Sequence, residues 1–462
     1  MIQRMVLALD DRLGTANFMR KALRHAFPDH WSFMLGEIAL YCFVVLVATG
    51  TYLGFFFDPS GRPLTYDGSY ASLHGTSMSA AYASVLRLSL DTRAGLLLRQ
   101  IHHWAALVFL AAIAVHMSRI FFTGAFRRPR ELNWIVGLSL LTLGLAAGFT
   151  GYSLPDDLLS GTGLRIAYSV VLSVPFVGGY LAYLFFGGDF PTTAMISRLF
   201  FTHILILPGL LVAAMALHLG MIWRQKHTQF PGPGRTEHNV VGSPLWPNYA
   251  MKSIALFFSV AAVVAGLGAF CQINPIWLFG PYDPANVSSP AQPDWYIGWL
   301  EGALRLGPPW DWQVFGHMIP APFFAGVLLP LAFFGLLFVW PFLERRLTGD
   351  GEPHQLLNHP SDVPWRTGVG AAVLTFAIIL TFAGGDDVEG KLLGISVESL
   401  VSIYRIALIA LPVFVGLVAF QMARELRARR NAQPATNARV VLSRTNAGGF
   451  SEGPEESPSQ RP

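Results

Sequence analysis

The sequence predicts an all-α polytopic membrane protein with eight transmembrane helices. Three observations carry this. The 462 residues are 53% hydrophobic and only 13% charged, the balance of a chain that crosses a bilayer several times. Eight apolar stretches are long enough, or nearly so, to cross it. They cover 35–57, 101–122, 134–154, 200–223, 254–278, 319–342, 368–383 and 400–422. With eight crossings, 22 of the 32 Lys and Arg fall on the side that holds both termini and 8 on the other, Arg119 and Arg405 lying at or in spans. Basic residues mark the cytoplasmic side, so both termini are expected in the cytoplasm.

Each remaining segment is then assigned in turn. Residues 1–34 are mixed and polar; no cleavable signal peptide is visible, and the first apolar stretch serves as the insertion signal. A ninth stretch, 166–186, has no charge but is interrupted by Pro175, Gly178 and Gly179. If it crossed, Arg224, Lys226 and the later loops would change sides and the charge bias would be lost. It is therefore expected as broken helices on the outer surface. Residues 426–462 are Arg-rich, then Pro/Ser/Glu-rich, and read as a disordered cytoplasmic tail. Cys42 and Cys271 belong to no metal-type cluster, and no disulfide is expected. The net charge of +4 follows from the topological bias, so nucleic acid is not implied as a partner.

Four histidines fall in two of these stretches. His102 and His116 are 14 residues apart in the second, and His203 and His218 are 15 apart in the fourth. Each gap spans roughly 21–23 Å of helix. Fourteen steps return to within roughly 40° of the start and fifteen to within roughly 60°. Each helix thus presents one imidazole near each membrane surface, on one face. Eight crossings make the two helices parallel, so His102 meets His203 at one depth and His116 meets His218 at the other. Ionisable groups inside a membrane are costly and usually functional. Two facing histidine pairs suit two haems stacked across the bilayer. His103 is about 220° round the helix from His116, so it is read as a structural or lipid-interface residue.

Glycines repeat the interval. Gly36 and Gly50 lie in the first stretch, Gly137 and Gly151 in the third, each pair 14 apart. They would let the flanking helices approach a flat macrocycle. Arg99 precedes His102 by three residues and Arg119 follows His116 by three, placed to pair with haem propionates. Residues 35–240 are therefore expected as a dihaem four-helix domain, and 241–425 as a C-terminal four-helix domain.

These residues resemble cytochrome b of the quinol–cytochrome c reductases, the bc1/b6f group, over roughly 30–425. The motifs are Arg99–His102 with His116–Arg119, Gly-Tyr-Ser-Leu-Pro at 151–155, Ser-Arg-Leu-Phe at 197–200 before His203, and Pro293–Asp294–Trp295–Tyr296. The last is similar to the family's Pro-Glu-Trp-Tyr signature, with Asp in place of Glu. Two stretches, 154–163 and 229–237, resemble the actinobacterial branch. The 15-residue gap resembles the b6 pattern. Some b6-type proteins hold a further haem on a cysteine that would align with Met34, so no covalent haem is expected.

The resemblance implies quinol oxidation at the outer face, with one electron passing to a Rieske iron–sulfur subunit and on to a cytochrome c subunit. The other electron crosses two non-covalent b-type haems to reduce quinone at the inner face, with proton translocation. His102, His116, His203 and His218 would be the iron ligands, and Arg198 joins Arg99 and Arg119 among the expected cofactor-binding residues. Asp294 would take quinol protons, Tyr296 would hydrogen-bond the quinol, and Glu301 is a second candidate acid. Pro293 and Trp295 would line the outer quinol site. Trp223, Arg224, Lys226 and His227 are the candidates for the inner quinone site, with His25 and His30 weaker. The resemblance further implies menaquinol, a homodimer, a docking terminal oxidase and a bacterial cell membrane with its lipid. Two other readings stay open on the residues alone: a dihaem anchor of another quinone oxidoreductase without bifurcation, and a transporter. The intramembrane polar residues are few, namely the histidines, Glu37 and Arg405, which gives a transporter little to work with.

Overall fold

A computed structural model describes residues 10–12, 14–286, 292–432, 440–444 and 450–454. Among them, eight helices are long and apolar enough to cross a membrane: Leu35–Gly54, Gly95–Phe122, Glu131–Tyr152, Met195–Gln225, Leu245–Phe270, Ala321–Thr348, Pro364–Ala383 and Val397–Ala432. The outward faces of these spans are apolar, with Val115, Leu217, Phe258, Val339 and Ile409 all exposed, as lipid contact requires. The uncharged stretch at 166–186 does not cross. It forms the two short helices Leu158–Leu172 and Gly178–Phe186. Asp157 and Ser160 close a capping box at the start of the first, so the chain turns there.

Two of the spans contain a widened turn, Thr202–Ile206 and Phe324–Leu328. Both lie just before a proline, Pro208 and Pro330. Proline has no N–H to give the preceding turn, and a π turn absorbs the mismatch inside a helix.

The first core cluster lies between spans one, two and three, around Cys42, Phe43, Ala105, Phe109 and Leu110. The fifth span adds Val260 and Val264 to it. The two halves of the chain are tied at the Arg-poor end of the bundle. Gln100 donates to the carbonyl of Ile273 at 2.8 Å and accepts from its N–H at 2.8 Å. Trp104 donates to the carbonyl of Cys271 at 2.7 Å. That sulfur lies just past the fifth span and is exposed, whereas Cys42 is buried; both are free thiols.

The opposite, Arg-rich end carries a buried ion pair. Arg366 Nε contacts both Glu344 oxygens at 3.0 Å, and Trp340 donates to Glu344 at 3.1 Å. Removing either partner would leave an uncompensated buried charge, which costs roughly 3–5 kcal/mol.

The short helix Trp295–Leu306 lies across the seventh span. Gly298 and Gly302 allow this: a Cβ on Gly302 would collide with the Leu380 carbonyl, and one on Gly298 would sit 3.3 Å from that of Thr381. Arg405 of the eighth span donates to the carbonyl of Leu306 at 3.2 Å, satisfying that helix end. This placement sets Asp294 at the Arg-poor end of the bundle.

The tail departs from expectation. The last span continues as helix through Ala432, and Val440–Arg444 pairs antiparallel with Phe450–Pro454. Residues 424–432 are Ala, Arg, Glu and Leu with one Asn, mostly strong helix formers, so the helix runs past the apolar stretch. The rest of the expected disordered tail lies outside the described residues.

Candidate functional site

The second and fourth spans run in the same sense. The rings of His102 and His203 meet at the Arg-poor level, with centroids 6.3 Å apart and planes at 73°. His116 and His218 line one cavity at the Arg-rich level. The π turn at Thr202–Ile206 explains the unequal spacing. It takes up one residue between His203 and His218, so 15 residues in the fourth span keep about the phase that 14 keep in the second.

Each ring of the first pair is held from behind. Nδ1 of His203 meets the Ala147 carbonyl at 3.0 Å and the Thr150 hydroxyl at 3.2 Å. Nδ1 of His102 meets the Thr49 hydroxyl at 2.9 Å, and that hydroxyl gives its own proton to the Val45 carbonyl at 2.7 Å. Carbonyls and committed hydroxyls only accept, so both rings carry their proton on Nδ1 and leave Nε2 as a lone pair. With bonds of about 2 Å from metal to imidazole nitrogen, the gap between the two rings fits one metal ion.

All four paired glycines face these rings. A Cβ on Gly151 would sit 2.5 Å from Cε1 of His203, on Gly50 3.0 Å from that of His102, on Gly36 3.2 Å from that of His116, and on Gly137 3.6 Å from that of His218. Thr49 and Thr150 each precede one of them. The glycines thus make room for the imidazoles themselves.

Two guanidinium groups add a second signal. Nε and Nη2 of Arg99, and Nε and Nη2 of Arg119, are buried with no hydrogen-bond partner, as are Nδ1 of His116 and of His218. Arg99 is only 9% exposed and reaches the Asn274 carbonyl through Nη1 at 3.2 Å. Arg119 lies 4.3 Å over the Phe33 ring. Neither forms an ion pair among the described residues. A buried cation without an anion is costly, and two levels each with a facing histidine pair and an arginine fit a metal macrocycle bearing carboxylates.

Arg198 has partners within the protein. Its Nη1 donates to the carbonyls of Tyr183 and Leu184 at 2.8 and 2.6 Å, and its guanidinium faces the Tyr183 ring. It ties down the end of helix Gly178–Phe186.

At the Arg-poor end, Asp294 precedes helix Trp295–Leu306. Its Oδ1 and Oδ2 lie 2.8 and 3.0 Å from Nε2 of His103, and Tyr296 donates to Oδ2 at 2.8 Å. His103 therefore faces a carboxylate, not lipid; pointing away from the paired histidines turns it toward Asp294. Tyr296 is 2% exposed, and burial beside Asp294 holds its phenol protonated far above the ordinary range. It packs onto Gly148, where a Cβ would sit 2.6 Å from its hydroxyl. Trp295 is exposed, while Pro293 is partly buried. Glu301 is partly buried and pairs with Arg305 at 2.6 Å. Burial raises its carboxyl, Arg305 opposes this, and Asp386 and Asp387 add to the rise. Tyr152 lies within electrostatic reach of Asp294, Glu301 and Asp157.

The Arg-rich cavity holds about 470 Å³. Beside His116, His218 and Arg119 it is lined by Trp223, Lys226 and His227, three of the four residues expected for an inner site. Arg224 is not among its lining residues. Burial, helped by His25, Arg130 and Arg119, lowers the His227 pKa to about 4. His25 stacks on Trp223 at 4.6 Å, and His30 caps the short turn before the first span. The cavity also reaches Glu37, Tyr41, Tyr249 and Ser253. The sequence alone gave Glu37 no role and did not single out the other three. Its one available signal was a carboxylate inside an apolar stretch, next to Gly36.

Residues 107–281 match the family model "Cytochrome b(N-terminal)/b6/petB". The chain is 52% identical over 414 residues to the cytochrome bc1 complex cytochrome b subunit of Mycobacterium tuberculosis, covering 89% of this chain and 75% of that one. It is 46% identical to the subunits of the same description in Corynebacterium diphtheriae, covering 91% and 77%, and Streptomyces coelicolor, covering 96% and 82%. Among solved structures, a chain of a hyperthermophilic respiratory complex III matches with a TM-score of 0.66 at 21% identity, over 90% of this chain and 99% of that one.

Proposed function

The chain belongs to the cytochrome b/b6 family, as the cytochrome b subunit of a bc1-type quinol–cytochrome c reductase, and from that premise we propose how its residues divide the work. The Arg-poor face is the outer, quinol-oxidising face, and the Arg-rich face is cytoplasmic and carries both termini. The membrane is the bacterial cell membrane.

His102 with His203, and His116 with His218, would hold two b-type haems, which when bound carry electrons singly across the membrane. Thr49, Thr150 and the Ala147 carbonyl keep Nε2 of the first pair free for iron. Arg99 and Arg119 would neutralise the carboxylates of the group at each level.

At the outer site, Asp294 accepts a proton from the quinol hydroxyl. Tyr296, fully protonated, can only donate, so it orients the quinol oxygen or the carboxylate. His103 fixes the Asp294 carboxylate from the other side. Glu301 takes the proton onward, its partner Arg305 and the neighbouring Asp386 and Asp387 leading to the surface. Pro293 and Trp295 wall the site. At the inner site Trp223, Lys226 and neutral His227 contact the quinone. Arg224 stays at the membrane surface.

The bc1 complex supplies the partner subunits. They comprise a Rieske iron–sulfur protein and a cytochrome c subunit, around a homodimer that docks a terminal oxidase. The quinone is menaquinone, on the strength of the actinobacterial relatives. The observation that carries this reading is the two histidine levels, each with facing glycines and a buried arginine that forms no ion pair among the described residues. Its test is turnover of the intact complex with menaquinol and ubiquinol compared, beside a reduced-minus-oxidised spectrum. Two b-type components and faster turnover with menaquinol are expected. A single b-type component, or no preference, counts against it.

A further inference from the structure

We infer that Glu37 is the residue that hands a proton to quinone at the Arg-rich end of the bundle, reloaded from water beside Lys252 and Asp29. This rests on the inner-site reading above and deepens it.

Glu37 lies in the first turn of the first span. Its Oε2 accepts from Ser253 at 2.6 Å and from Tyr41 at 3.1 Å, and its Oε1 accepts a short hydrogen bond from Tyr249. Tyr41 and Ser253 also touch each other. Three hydroxyls thus converge on one carboxyl group. Among the described residues no cation pairs with it. A carboxylate inside an apolar span normally has a basic partner. A group meant only to join the first span to the fifth could be an amide, at far less cost.

Its position fits proton delivery. Glu37, Tyr41, Tyr249 and Ser253 line the same cavity as Lys226, His227 and Arg119. On the other side, Lys252 directly follows Met251 in the same helix and precedes Ser253. Its Nζ pairs with Asp29 at 2.7 Å, and these side chains are 48% and 56% exposed. One helix turn therefore carries both a water-exposed ion pair and a hydroxyl bonded to Glu37.

Reducing one quinone consumes two electrons and two protons, and each carbonyl oxygen becomes a hydroxyl. The quinol-oxidising half of the established reaction supplies the electrons. Glu37 as the acid gives its proton to one carbonyl oxygen and is left as carboxylate. A proton from cytoplasmic water, entering past Asp29 and Lys252 through Ser253, restores the acid. The second oxygen takes its proton from water directly.

The direct partners of Glu37 are Tyr41 on its own helix and Tyr249 and Ser253 on the fifth span, and the other titratable or charged groups lining the same cavity are His116, Arg119, Arg130, His218, Lys226 and His227. A carboxyl donor must be protonated to act, so the step slows as pH rises.

The experiment uses the intact complex. A pulse of quinol reduces the b haems, and their reoxidation by added menaquinone is followed spectrally from pH 5 to 9. Glu37→Gln should leave haem reduction unchanged and slow reoxidation by about 10²-fold, the lower end of acid–base assistance. The decline with rising pH should disappear. Glu37→Asp should recover part of the rate together with the pH dependence. Lys226→Met and Trp223→Ala, in parallel, test the site itself. If they slow reoxidation while Glu37→Gln matches the parent at every pH, the site stands and the role of Glu37 is overturned. If none of the three slows it, the inner-site reading fails and takes this inference with it. Should Glu37→Gln not assemble, Glu37→Asp decides. Slowed reoxidation with a normal haem spectrum supports the inference, and the parental rate at every pH overturns it.

Discussion

Nε2 of His103 lies 2.8 Å from one oxygen of Asp294 and 3.0 Å from the other, although 191 residues separate them. A histidine next to a proposed haem ligand thus joins the proposed quinol site, and two substitutions test it. Asp294→Asn keeps the size of the side chain but cannot take a proton. Quinol oxidation should fall by roughly 10²–10⁴ with both b-haem bands intact. His103→Leu should likewise keep both bands, and turnover should fall by up to about 10²-fold, the cost of misplacing a reacting group by about 1 Å. A haem lost from His103→Leu, with none lost from His102→Leu, would reverse the assignment of the ligands.

The glycines should grade in severity. Alanine at Gly151 meets His203 at 2.5 Å, while at Gly137 it meets His218 at 3.6 Å, an ordinary contact. Overpacking typically costs about 1–3 kcal/mol. Gly151→Ala should therefore lose or shift one haem band, Gly50→Ala and Gly36→Ala less so, and Gly137→Ala hardly at all. An inverted order in the optical spectra of purified complexes would count against this arrangement of rings.

Arg119→Met should lower the midpoint potential of the haem proposed at His116 and His218. Removing a nearby cation favours the oxidised, more positive form. At an effective dielectric of ~20 a charge some 8 Å away contributes about 2 kcal/mol, so a fall of tens of millivolts is expected. A redox titration of the variant reads it, and an unchanged potential would place this arginine away from the cofactor.

The Arg-rich surface should loosen in acid. Glu237 accepts from the N–H of Leu356 at 2.8 Å and of Gln355 in a shorter bond, while Asp350 contacts His354 at 2.9 Å. The net effect of these partners holds Glu237 below its ordinary 4.5 and Asp350 below its ordinary 3.8, although partial burial pushes the other way. A carboxylate with a depressed pKa stabilises the fold above its ordinary value, and this is lost as pH falls through the depressed one. Amide exchange at 350–358 should therefore rise below about pH 4, with little change between pH 6 and 8.

Topology is open to reporter tags. Tags between 271 and 320 and after Arg430 should report opposite sides, with the second in the cytoplasm. Matching reports would break the eight-span arrangement.

Much of this was legible in the sequence because periodicity and charge act locally. Runs of apolar residues marked the spans, and the bias of Lys and Arg excluded a ninth crossing at 166–186. The histidine and glycine intervals showed the pairing, since a helix converts spacing into direction. What escaped depends on contacts between distant segments. His103 could be seen to face away from the haem side, but not that Asp294 would come to meet it. Arg198 sits beside a ligand in sequence, yet its guanidinium is spent on the carbonyls of Tyr183 and Leu184. Glu37 was visible as an odd carboxylate, but its donors Tyr249 and Ser253 come from the fifth span. The tail was read by composition alone, and composition underrates a helix already under way.

Pro208 acts as the phase lock of the fourth span. By denying the preceding turn one N–H, it keeps Thr202–Ile206 wide. Everything beyond is wound back by the angle of one residue. Were that turn to tighten to the ordinary pitch, the segment carrying His218 would rotate by about 100° and slide by about 1.5 Å, turning the ring away from His116 while His203 stayed in place. A single imino acid thus sets whether the two ends of one helix point the same way. A relative of this chain that lacks the proline should also be shorter by one residue between its two histidines.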